Sequence, residues 1–131
     1  MGETKIYNIK PCPKPRMTRS DKWRKRACVL RYFDFCDKVR EAGVDLPESG
    51  ASIIFTLPMP KSWTKAKREK MMGKPHQQTP DLDNLVKALS DAVHTEDKQI
   101  WNYGSLTKVW GLVGFITITS NEVGGNYEKE N

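Results

Sequence analysis

The chain has 131 residues, 37% of them hydrophobic and 29% charged, with a formal net charge of +6. That length fits one domain with a modest core, and no apolar run approaches the ~20 residues of a membrane-spanning helix. Three cysteines (Cys12, Cys28, Cys36), without a C-x-x-C pair or neighbouring histidines, argue against a disulfide framework or a structural zinc site.

The opening MGETKIYNIK has no hydrophobic signal core, so a reducing, cytoplasmic setting is expected. Residues 5–9 (KIYNI) read as a short strand. The following KPCPKPRMTRS holds three prolines, which remove backbone donors and favour an extended path. Ser20 is predicted to cap a helix that runs to Gly43, with Asp21 in its first turn. Cys28, Tyr32, Phe35, Cys36 and Val39 share one face of that helix.

ASIIFTLPM reads as a strand in which Ala51, Ile53, Phe55 and Leu57 alternate with Ser52, Ile54 and Thr56. KSWTKAKREKMMG predicts a short basic helix closed by Gly73, and KPHQQTP an irregular connector. A helix over 81–93 carries Leu82, Leu85, Val86, Leu89 and Val93 as an apolar stripe. Two extended stretches, roughly 99–110 and 112–119, are expected to form a hairpin through the WGL corner. The tail, 121–131, has few apolar residues and is expected to be loose, leaving 1–120 as the folded domain. The expected architecture is α/β (α+β): one mixed sheet of about four strands packed with about three helices.

The positive charge is clustered. Eight Lys or Arg stand against one acid between Lys10 and Arg26, and six against one between Lys61 and Lys74. Such clusters suit a polyanion, nucleic acid first. Lys14, Arg16, Arg19, Lys65, Lys67, Arg68, Lys70 and Lys74 are the candidate phosphate contacts. His76 is a candidate phosphate or loop contact. Of the four tryptophans, Trp63 beside the basic helix has the best case for stacking on unpaired bases.

Within this basic chain, TPDLDNLVKALSDAVHTEDKQI gathers five acids: Asp81, Asp83, Asp91, Glu96 and Asp97. In a continuous helix, residues two apart point roughly 200° away from each other. Pro80 biases Thr79 away from helix, so Asp81 is expected at the N-cap or first turn, outside the regular spiral. From there Asp81 and Asp83 can converge over the positive helix end, with Lys87 one turn on and Asp97 returned by a short turn. Crowded carboxylates are relieved by a raised pKa or by a hard cation such as Mg²⁺. Carboxylates in a cationic field are a pattern of metal-dependent phosphodiester cleavage. The same spacing also allows Asp81 to be only a cap, and Asp83–Lys87 and Lys87–Asp91 to be ordinary surface pairs.

The segment PDLDNLVKALSDAV…EDKQI resembles the signature of the RusA-type Holliday junction resolvases, endonucleases associated with phages and bacteria. The shared elements are Asp81-Leu82-Asp83-Asn84-Leu85-Val86-Lys87, Asp91-Ala92-Val93, the acidic pair Glu96-Asp97, and Gln99-Ile100. PCPKPRMTRSDKW resembles the family's segment after its first strand, and Lys108 resembles a basic residue of its penultimate strand. Only His94 and Thr95 separate the helix from the acidic pair, where the family often carries a longer loop, and the pair is Glu-Asp where Asp-Asp is common. The resemblance implies a homodimer that binds branched DNA and cuts four-way junctions symmetrically. It implies Mg²⁺, with Mn²⁺ as a substitute, held by Asp81, Asp83 and Asp97, with Lys87 completing the catalytic set and Lys108 on the DNA. The rival expectations are a non-catalytic DNA-binding module and a nuclease of this fold acting on forks or flaps.

Overall fold

A computed structural model describes residues 3–16, 26–47, 49–93 and 100–120. The elements in chain order are β1 (Glu3–Tyr7), α1 (Ala27–Glu41), β2 (Ala51–Pro58), α2 (Lys65–Met71), α3 (Leu82–Val93), β3 (Tyr103–Gly111) and β4 (Phe115–Ser120). The four strands make one mixed sheet in the order β1-β4-β2-β3. This is the expected α+β domain of four strands and three helices. No helix among the described residues is long and apolar enough to cross a membrane.

The most apolar strand takes the middle. β2 pairs with β4 antiparallel and with β3 in parallel, and its inward residues Ala51, Ile53 and Phe55 are fully buried. On the same side, β4 buries Ile116 and Ile118. α1 lays Val29, Tyr32, Phe35, Cys36 and Val39 onto this core, and α3 adds Leu85, Ala88, Leu89 and Ala92.

Three expectations need correction. β3 and β4 form no hairpin, because β2 lies between them. Positive φ among glycines occurs at Gly43, Gly50 and Gly73, so Gly111 and Gly114 supply none of the twist that a two-residue hairpin turn requires. They serve close approach: a Cβ on Gly111 would collide with Thr56 Cγ2, and one on Gly114 would sit 2.7 Å from Lys10 Cγ. Second, α1 begins at Ala27 after an extended Arg26, so Ser20 is not its cap; Ser20 and Asp21 lie outside the described residues. Third, Val29 rather than Cys28 completes the buried face of α1.

Gly43 does end α1. Its φ of +66° lets its N–H reach Arg40 O (3.1 Å) while the Val44 N–H reaches Val39 O (3.2 Å). Two terminal carbonyls are thereby satisfied, and buried Val44 follows Val39 into the core.

Candidate active site and nucleic-acid interface

The site starts at the entry to α3. Asp81 stands one residue before the helix and accepts the Leu85 N–H on its carbonyl at 3.1 Å, the N-cap position. Asp83 lies in the first turn. Both side chains are exposed, while Leu85 behind them is buried. Because Asp81 is outside the spiral, the opposed directions of residues two apart in a helix do not govern this pair. The positive end of the α3 dipole stabilises both anions.

The backbone leading into Asp81 is held by the sheet. Residues 73–76 run along the free edge of β3: Gly73 N donates to Trp110 O (3.0 Å), Trp110 N to Lys74 O (3.0 Å) and His76 N to Lys108 O (2.9 Å). Pro75 bridges Val109 antiparallel. Lys108 Nζ then donates to Gln78 O (2.5 Å) and Pro80 O (2.7 Å), on either side of the cis Thr79–Pro80 peptide. Lys108 is thus a latch beside the N-cap.

Aromatic stacking joins this edge to the basic helix. Lys67 Nζ sits 4.3 Å over Trp63, Trp63 packs on Trp110 at 4.7 Å, and Trp110 packs on His76 at 4.0 Å. His76 is buried, and burial lowers its pKa, with the Lys108 charge adding to the effect. Its Nδ1 accepts the Gln78 N–H at 3.4 Å, which puts the proton of the neutral ring on Nε2. The side chain therefore packs inside the fold and is not presented to solvent. Trp63 likewise packs against Trp110, whereas Trp101 is 65% exposed.

The predicted phosphate contacts divide into two groups. On α2, Lys65, Lys67 and Lys70 are exposed, as is Lys74 beyond it. Arg68 is half-buried and donates to Trp63 O (3.3 Å) and Pro60 O (3.0 Å), which ties down the approach to α2. On the other side, the proline-rich segment lies along the polar face of α3. Lys14 Nζ pairs with Asp91 Oδ2 at 2.6 Å, and Arg26 donates to Arg16 O at 2.8 Å. Asp91 therefore takes Lys14 as partner. Neither Asp83 nor Asp91 is within ion-pair reach of exposed Lys87, so the simple surface pairs that spacing allowed are absent.

Asp97 and Arg19 lie outside the described residues, as do Glu96, His94 and Trp23. Among the described residues no three His, Cys, Asp or Glu side chains group as metal ligands. At this helix end the described carboxylates are Asp81 and Asp83. Two hard carboxylates on an open helix end fit Mg²⁺, which is commonly bound by one or two carboxylates plus waters and substrate phosphate.

The profile of endodeoxyribonuclease RusA matches residues 37–119. The chain belongs to the RusA endodeoxyribonuclease family. The RusA match begins inside α1, ends in β4, and includes Asp81, Asp83, Lys87, Lys108 and the α2 cations. Lys14 and Arg16 precede it. Among curated proteins, no match to the chain is found. A RusA-type Holliday junction endonuclease agrees with the fold: one small α+β domain whose carboxylates open to solvent beside cationic surfaces.

Proposed function

We propose that this RusA-family nuclease hydrolyses phosphodiester bonds at four-way DNA junctions with a divalent cation, Mg²⁺ or Mn²⁺, held by Asp81 and Asp83 together with Asp97. The observation that carries the reading is the pair of exposed carboxylates at the N-terminus of α3, inside the family match, in a chain of net charge +6. A bound cation would supply an activated water and offset charge on the phosphate oxygens. Lys87, one turn from Asp83, contacts a non-bridging phosphate oxygen and holds the scissile group near the carboxylates. Lys65, Lys67, Lys70 and Lys74 hold flanking duplex through its backbone, which positions the enzyme without reading sequence. Cutting two symmetric strands calls for two active sites, and a homodimer supplies them through its two-fold axis.

The test is cleavage of a synthetic four-way junction, a fork and a linear duplex, each with Mg²⁺ and with EDTA. Junction cutting that requires the cation is expected, with Asp81→Asn inactive by a factor of at least ~10³ while junction binding in EDTA is retained. Normal cutting by Asp81→Asn would overturn the assignment.

A further inference from the structure

A cleft runs between the proline-rich segment, the start of α1 and the polar face of α3. Its first wall is the proline-rich segment from Cys12 to Arg16. Its second wall is the start of α1, with Arg26, Cys28 and Arg31, and the polar face of α3, with Asn84 and Lys87. The recess between Cys28, Arg31 and Asn84 encloses about 420 Å³. Four cations line it, Lys14, Arg16, Arg26 and Arg31, and Lys87 lines an adjoining recess that shares Lys14, Arg16 and Asn84 with it. No carboxylate lines either recess among the described residues, and Lys14 is already paired with Asp91. That same pair ties the two walls together. Arg16, Arg26 and Arg31 precede the stretch matched by the family, which begins at residue 37.

The shape and charge select a ligand. The volume falls within the ~300–1,000 Å³ of sites that enclose small molecules, so a duplex cannot enter. Phosphates on an unpaired strand can, and arginine forks suit them. Asn84 and Lys87 belong to the helix that carries Asp83, and Asn84 is its chain neighbour. We propose that this cleft is a binding channel for single-stranded DNA, with Arg31 and Arg16 as its phosphate contacts. It guides a strand released from pairing at the branch point toward Asp81 and Asp83, while the exposed lysines of α2 face duplex. The choice of DNA as ligand rests on the nuclease reading above; the cleft itself stands on the geometry.

The test uses the full chain in EDTA, so no strand is cut. Binding of labelled (dT)12 and of a linear duplex is measured against salt for the unmutated chain, for Arg16→Gln/Arg31→Gln, and for Lys65→Gln/Lys70→Gln. The cleft variant is expected to lose about tenfold in affinity for (dT)12. The slope of its log affinity against log salt should fall by about 1.4, roughly 0.7 for each contact removed. Its duplex affinity should change less than twofold, and the α2 variant should show the opposite preference. A second measurement needs no mutation: (dT)12 should slow iodoacetamide labelling of Cys12 and Cys28, which line the cleft, in the unmutated chain. Equal losses on (dT)12 and duplex, no loss on (dT)12, or labelling at an unchanged rate would each overturn the proposal. None of these readouts depends on cleavage, so failure of the Asp81→Asn test would leave their result intact.

Discussion

The Lys14–Asp91 pair is predicted to stabilise the fold beyond an ordinary surface ion pair. Its N–O distance is 2.6 Å, and the two side chains are 30% and 25% exposed. Fully exposed pairs contribute ~0.2–1 kcal/mol because water screens them and side-chain entropy opposes them. Removing one partner of a fully buried pair costs ~3–5 kcal/mol because the other charge is stranded. Lys14–Asp91 lies between these limits, and a short charge-assisted bond in partial solvent contributes about 1–2 kcal/mol. Lys14→Met and Asp91→Asn are each expected to destabilise by that amount. A chain of this size loses roughly 3–5 °C of melting temperature per kcal/mol. The double variant should cost less than the sum of the singles, with a coupling of about 1 kcal/mol in urea unfolding. Coupling below ~0.3 kcal/mol would refute the reasoning, since the contact would then be no stronger than a screened surface pair.

Two further outcomes test local physics. Gly111→Ala should destabilise by about 1–3 kcal/mol, because the new methyl meets buried Thr56 Cγ2, and Thr56→Ser should recover most of the loss by removing that methyl; a urea series on the three variants decides it. His76 has a folded pKa below its ordinary 6.5, so the unfolded chain binds the proton more readily, and stability present above pH ~6.5 falls on acidification toward the lower folded value. The melting temperature of His76→Phe, which keeps a ring against Trp110, should fall less between pH 7 and 5 than that of the unmutated chain; parallel curves would show that His76 does not carry the effect.

The parts legible in the sequence were those set by short-range periodicity. The apolar stripe of α3 appears in place, and Leu82, Val86 and Val93 pack at the margin of the core that Leu85 and Leu89 enter. The alternation in β2 put Ala51, Ile53, Phe55 and Leu57 on the buried side. Gly43 and Gly73 end their helices with positive φ, as glycines after a helical stripe should. Strand order was not legible. Whether β3 turns back on itself or crosses the end of β2 depends on which strand occupies the centre, and no local pattern at Trp110–Leu112 encodes that. The edge pairing of 73–76 was hidden for a related reason, since Pro75 has no N–H and reads as a strand breaker. On an edge it costs nothing on the solvent side, and it also discourages further pairing there. In the candidate site, Asp81 at the N-cap followed from Pro80, whereas the Lys14–Asp91 contact, 77 residues apart in sequence, left no local trace.

The basic clusters illustrate how a count of cations differs from an interface. Several positive side chains of this protein are engaged in holding its own backbone or carboxylates. Lys14 fixes the C-terminal half of α3 through Asp91, Arg40 reaches Ala92 O at 3.3 Å on the same helix, and Lys108 fixes the chain entering its N-terminus. Arg68 braces the segment before α2. The helix that follows Asp81 and carries Asp83 is therefore held by cations at both ends. The same bonds commit those cations to the fold, with Lys14, Arg68 and Lys108 half-buried. The electrostatic contribution to DNA binding then falls to the exposed set, chiefly Arg16, Arg31, Lys65, Lys67, Lys70, Lys74 and Lys87. A salt dependence built from every Lys and Arg in the two clusters would overstate the number of phosphate contacts, because a cation bound to the fold releases few counterions from DNA.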